Sequence, residues 1–204
     1  MPDRADRVIQ IRGSMNQTEK TDIKSLDLKE LTAFVESLGE KAFRAKQIYQ
    51  WLHVKQVTSF EKMSNISKTF IEKLKENSYL VNLKQEAVQI SKLDGTRKYL
   101  FLLEDGNVIE SVLMKYKHGN SVCISSQVGC RMGCRFCAST LDGLVRGLTA
   151  SEMLDQIYHI GRDIGERISN VVVMGTGEPM DNFDNLLKFI ELLTDENGLN
   201  ISQR

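Results

Sequence analysis

The chain has 204 residues, 41% of them hydrophobic, and its 27 Lys/Arg balance 27 Asp/Glu. That composition is globular, and no apolar run approaches the roughly 20 residues of a membrane-spanning helix. Four cysteines without a secretory segment point to a reducing, cytoplasmic setting. The balanced total hides an asymmetry: residues 41–84 carry nine Lys/Arg against three Asp/Glu, and residues 151–204 carry four against ten. A basic front half suits a phosphate-bearing partner, although an ordinary solvated helical surface explains the charge equally well.

Residues 1–22 read as a disordered tail or extension, with Met15 opening a stretch more like a natural start. From Ser25 the pattern turns helical. Leu26, Leu28, Leu31, Phe34, Val35 and Leu38 recur at helical spacing, and Gly39 supplies a stop. A second helix is predicted from Ala42 to about Val54 and a third from about Ser67 to Glu76, so residues 23–84 form a small helical module. Trp51 reads as a core residue rather than a base-stacking platform. Ala87–Ile90, Tyr99–Leu103 and Val108–Tyr116 are β-rich runs separated by the turn pairs Asp94-Gly95 and Asp105-Gly106. They predict an antiparallel linker over 85–117.

After residue 118 the rhythm becomes strand, loop, helix, strand, helix. Ser121–Ser125 is a short strand. Thr149-Ala-Ser-Glu152 is a capping box that opens a helix with Ala150, Met153, Leu154, Ile157, Tyr158 and Gly161 on its apolar face. Val171–Met174 is apolar throughout, as a parallel strand buried on both sides should be. A last helix is predicted to turn Phe183, Leu186, Leu187, Ile190 and Leu193 inward. Alternating strands and helices imply parallel βα units, so the fold class is α/β: a helical module, a β linker, and over 118–204 the first part of a barrel. In such folds chemistry sits on loops after the strands.

One such loop carries Cys130, Cys134 and Cys137, three thiols within eight residues. Thiolates are soft ligands suited to iron–sulfur clusters or zinc. Three cysteines would leave one iron of a four-iron cluster open, whereas a structural zinc site needs a fourth ligand, which Cys123, His118 or His159 would have to supply. Three thiols so close cannot all pair as disulfides, and a chain of this size needs no stapling.

The CxxxCxxC spacing with Phe136 before its last cysteine resembles the radical S-adenosylmethionine (SAM) enzymes. The flanking Ser121-Val-Cys-Ile-Ser-Ser-Gln-Val-Gly129 and the later Gly175-Thr-Gly-Glu-Pro179 are similar to the RlmN family, which methylates C2 of adenosine in 23S rRNA and certain tRNAs. The resemblance runs from about Ile23 to the last residue.

It implies a [4Fe-4S] cluster on Cys130, Cys134 and Cys137, with SAM chelated at the open iron and cleaved to a 5′-deoxyadenosyl radical. Phe136 would lie near the SAM adenine, and Gly177 and Glu178 would bind SAM. Cys123 would be the cysteine that attacks a methyl-bearing cysteine beyond this chain, forming a disulfide that frees the methylated RNA. Glu110 would be the proton acceptor. On the residues alone, Cys123 reads as a buried strand thiol, Glu110 as a solvent-facing strand residue, and Gly175–Pro179 as an acidic βα turn with Asp181 starting the next helix.

The resemblance also implies a monomeric protein, an electron donor such as flavodoxin or ferredoxin, and RNA contacts from the helical module. The competing readings are the related C8-adenosine methyltransferase, a radical SAM activase, which the basic helical front half disfavours, and a non-catalytic zinc-binding RNA module. With two βα units after the cysteine loop, the chain is expected to be the front portion of a longer protein. It is expected not to complete methyl transfer alone, and its unpaired strand edge favours aggregation.

Overall fold

The computed structural model describes residues 20–202; of the tail expected over 1–22, residues 1–19, Met15 among them, lie outside these, while Thr21–Asp22 is not tail but a paired strand. The helical unit opens with strand β1 (Thr21–Asp22) and helix α1 (Leu28–Ser37), whose capping box pairs Asp27 and Glu30 through each other's backbone N–H. Helix α2 (Phe43–Tyr49) runs into a π-helical turn, Gln50–Val54, and α3 (Lys68–Asn77) starts at the Ser67 cap. Strand β2 (Ser78–Tyr79) then pairs in parallel with β1, so the unit's two ends meet. Trp51 packs partly buried against the core, with its indole N–H donated to Asn65 at 2.5 Å.

Strands β3 (Lys84–Ile90), β4 (Arg97–Leu102), β5 (Val108–Tyr116) and β6 (Gly119–Cys123) form an antiparallel meander. After β6 comes a small hairpin, β7 (Gln127–Gly129) against β8 (Leu144–Gly147), then helix α4 (Ala150–Ile164), strand β9 (Ile168–Val172) and helix α5 (Phe183–Thr194). Strand β9 joins β6 in parallel, giving the sheet order β3-β4-β5-β6-β9. The expected linker is therefore no separate bridge. Its strands share one mixed sheet with the first parallel pair, because β5 hydrogen-bonds directly to β6.

Helix α4 is the hub. Its expected capping box is present, and nearly every side chain from Ala150 to Tyr158 is buried, since the sheet covers one side and the helical unit the other. The polar residues this buries are paired. Asp155 accepts from Lys24 Nζ at 2.6 Å and from the Leu83 N–H at 2.7 Å, and Tyr158 Oη meets His53 Nδ1 at 2.7 Å.

Two expectations are corrected. Val172 and Met174 are 39% and 79% exposed, because β9 is the sheet edge among the described residues and borders a 620 Å³ apolar cleft under α5. In α5, Leu186, Phe189, Leu192 and Leu193 point inward, while Phe183 and Leu187 stand about half exposed. The helix carries more apolar positions than one face holds, so its rotation follows the fit against α4.

Candidate active site

Residue alternation and strand register place the site. Cys123 pairs with Val112, and Glu110 lies two residues from Val112 on β5, so the three side chains share one face of the sheet. The other face, with Ile109, Ser111, Leu113 and Val122, packs on α4. Cys123 is half-buried, and burial pushes its thiol pKa up, partly offset by the Met174 backbone hydrogen bond. Glu110 is about half exposed and pairs with Lys98 Nζ at 2.7 Å.

The cysteine loop occupies the tip of the β7–β8 hairpin. Cys130 N–H donates to the Gly143 carbonyl at 3.0 Å, and Cys137 N–H to the Cys134 carbonyl at 3.0 Å. A Cβ on Gly129 would fall 1.9 Å from that Gly143 oxygen, and Gly129 has φ +71°, so only glycine closes the stem. Cys130 is buried, Cys137 intermediate, Cys134 exposed, and Phe136, at 95% exposure, stands in solvent.

The Gly175–Pro179 stretch leaves β9 on the same side and is zipped to the cysteine hairpin. Gly175 N–H donates to the Ile124 carbonyl at 2.9 Å, and Thr176 accepts from the Ser126 and Gln127 N–H groups at 3.0 and 3.2 Å. The Glu178 N–H donates to Gln127 Oε1 at 2.9 Å. Gly177 has φ +109°, and a side chain there would strike Gln127, 2.6 Å from its Cβ. Asp181 does not cap the next helix. A 3-10 turn, Pro179–Asn182, intervenes, capped by the Glu178 carboxylate accepting from the Met180 N–H at 3.1 Å. Asp181 instead accepts from Gln127 Nε2 at 3.0 Å and from the Arg131 guanidinium. Arg131, then Gln127, hold its carboxyl below the usual range.

The donor set fits a metal cluster in its chemistry: all four cysteines are free, and three stand on one braced loop. Their side chains do not converge, since no three His, Cys, Asp or Glu groups stand at metal-holding distance among the described residues. The histidines considered as zinc ligands lie elsewhere. His118 stacks on Tyr116 at the opposite end of β6, roughly 17 Å away at ~3.3 Å per strand residue. His159 packs edge-on to Phe101 on the helix-covered face.

Sequence reasoning missed Gln127, Arg131 and Asp181 as the ties between the loops. The available signal was a polar Gln between Ser126 and the apolar Val128, which the structure buries to 1% exposure.

A fold of this kind, with three thiols on the first loop and a glycine-rich turn on the next, is similar to a radical SAM methyltransferase. The crystal structure of one from Sphaerobacter thermophilus superposes with TM-score 0.82 at 35% identity, covering 89% of this chain and 54% of that one. Residues 21–80 match the family model described as "Ribosomal RNA large subunit methyltransferase N-terminal domain". The chain is 68% identical over 90% of its length to a "Probable dual-specificity RNA methyltransferase RlmN" from Lachnospira eligens, covering 53% of it. It is 64% identical over 92% to the like-named protein of Lachnoclostridium phytofermentans, covering 52%. The RlmN resemblance read from the motifs is thereby borne out, and the chain spans about half the length of the curated relatives it matches. No helix among the described residues is long and apolar enough to cross a membrane.

Proposed function

We propose that this chain carries the cluster- and SAM-binding portion of an RlmN-type radical SAM enzyme that methylates C2 of adenosine in 23S rRNA and certain tRNAs. The observation that carries this is the joining of two loops at one end of the sheet: the hairpin bearing Cys130, Cys134 and Cys137, and the turn bearing Gly177 and Glu178. A [4Fe-4S] cluster on the three thiols would supply one-electron cleavage of a carbon–sulfur bond of SAM.

The chain's own residues do the rest. The backbone at Gly177 and the Glu178 carboxylate would hold SAM, and the peptide group near Phe136 would lie near its adenine. Cys123 and Glu110 share the face on which the adenosine would sit, Glu110 to take a proton. Cys123 would attack the sulfur of a cysteine outside this chain that is bonded through the methyl carbon to the RNA, so that a disulfide forms as the carbon–sulfur bond breaks and its electron pair stays with the methylated RNA. Residues 23–84 contact the RNA, and 118–204 contribute the opening strands of a parallel barrel. The working protein is a cytoplasmic monomer served by a flavodoxin- or ferredoxin-type donor.

Anaerobic reconstitution with iron and sulfide tests the reading. A brown chain with about four irons supports it; a colourless chain with one tightly held zinc overturns it in favour of a structural metal module.

A further inference from the structure

Cys130 and Glu178 belong to different loops, and one short relay joins them. Gln127 is a buried amide three residues before Cys130, and both ends of its side chain are used. Oε1 accepts the Glu178 N–H at 2.9 Å, and Nε2 donates to Asp181 Oδ2 at 3.0 Å. Asp181 Oδ1 accepts from Nε of Arg131, the residue next to Cys130, at 3.1 Å. Gly177 leaves room for this approach, since any side chain there would meet the Gln127 backbone N at 2.9 Å.

We propose that Gln127 is a positioning residue: through Asp181 and Arg131 it fixes the cysteine loop and the Gly177–Glu178 turn in one register, so that cluster ligands and cofactor contacts move as a unit. The inference rests on the SAM-binding reading above. A buried amide suits the task because it must donate to a carboxylate on one side and accept from an N–H on the other. Glutamate at 127 would keep the acceptor but set a second carboxylate about 3 Å from Asp181, where both cannot stay ionised at low cost.

The test uses the iron-loaded chain, with iron per chain, melting temperature and SAM affinity by equilibrium dialysis as readouts. In Gln127→Glu, iron content should hold while the SAM dissociation constant rises about 10–100-fold, the range for losing an outer-shell partner. Adding Asp181→Asn supplies a donor toward the new carboxylate and should return affinity to within about threefold of wild type, a fraction of the 10–100-fold loss. Unchanged SAM binding in Gln127→Glu, or a loss that tracks iron content and melting temperature and is not rescued, overturns the proposal while leaving the function standing. A wild-type chain that takes up no iron, or takes up iron without binding SAM, overturns the function and this inference with it. On the iron-free chain, Asp181→Ala should speed amide exchange over both 130–137 and 175–178; acceleration confined to one loop counts against coupling.

Discussion

Gln156 holds the backbone of Ser125 on its side-chain amide. The Ser125 N–H donates to Gln156 Oε1 at 2.9 Å, and Gln156 Nε2 donates to the Ser125 carbonyl at 3.0 Å. The same Oε1 accepts from Ser111 Oγ at 2.7 Å. At the point where β6 ends and the cysteine hairpin begins, a helix side chain replaces a strand partner. Gln156→Leu strands two buried backbone groups and should cost about 2–4 kcal/mol. Urea denaturation measures this, and a loss below about 0.5 kcal/mol would contradict it.

Lys24 and Asp155 form an ion pair almost wholly removed from water, 1% and 0% exposed. Lys24→Met leaves a buried carboxylate without its cation and should destabilise the fold by about 3–5 kcal/mol. Lys24→Met with Asp155→Asn should recover part of that, because the amide still accepts the Leu83 N–H without carrying charge. A double variant weaker than the single one refutes this reading.

His53 is fully buried against Tyr158, and burial, reinforced by the Lys24 charge and opposed by Asp195, lowers its pKa to about 3. An unfolded chain takes up this proton near the ordinary value of about 6.5, which the folded chain refuses. Stability from this site is thus present above pH 6.5 and drains as pH falls toward 3, by up to about 1.4 kcal/mol per unit. Denaturation midpoints from pH 7 to 5 should fall more steeply in wild type than in His53→Gln; parallel slopes would exclude the effect.

Gly129→Ala should break the stem of the cysteine hairpin, at about 3 kcal/mol for overpacking and a disfavoured backbone together. Gly133 has φ +70° but open space around it, so alanine there strains only the backbone. Iron uptake should therefore fall further in the Gly129 variant than in Gly133→Ala, and equal uptake would show that the Gly129–Gly143 contact does not hold the loop.

Serine at Cys130, Cys134 or Cys137 should each strip iron from the reconstituted chain, whereas Cys123→Ser should retain it, since Cys123 lies on the sheet outside the loop. Iron analysis and visible absorption separate the two groups. Full iron in Cys134→Ser would remove that residue from the ligand set.

Periodicity made the helical unit, the β meander and the capping box of α4 legible, because each rests on short-range pattern. The thiol spacing was equally plain. What the sequence hid depends on distant partners. The inward side of α5 is chosen by α4 from several equivalent apolar positions. Asp181 reads as a helix cap until Arg131, fifty residues earlier, and Gln127 claim it. The β7–β8 hairpin is hidden because fourteen residues, 130–143, lie between its two strands, and its register depends on one glycine meeting one carbonyl. The buried Lys24, Asp155 and Gln156 break the apolar pattern, and only their mutual pairing explains them.

The hairpin under the thiols has a bearing on how the protein matures. In small metal-dependent domains the ion creates the fold, and the empty polypeptide is a coil. Here the loop is braced by the protein itself, through the Cys130 N–H on the Gly143 carbonyl and the Arg131–Asp181 tie, while its thiols stand apart. Assembly machinery would meet a braced loop whose thiols have still to close on the cargo, and losing that cargo to oxygen would leave the brace in place rather than a collapsed chain.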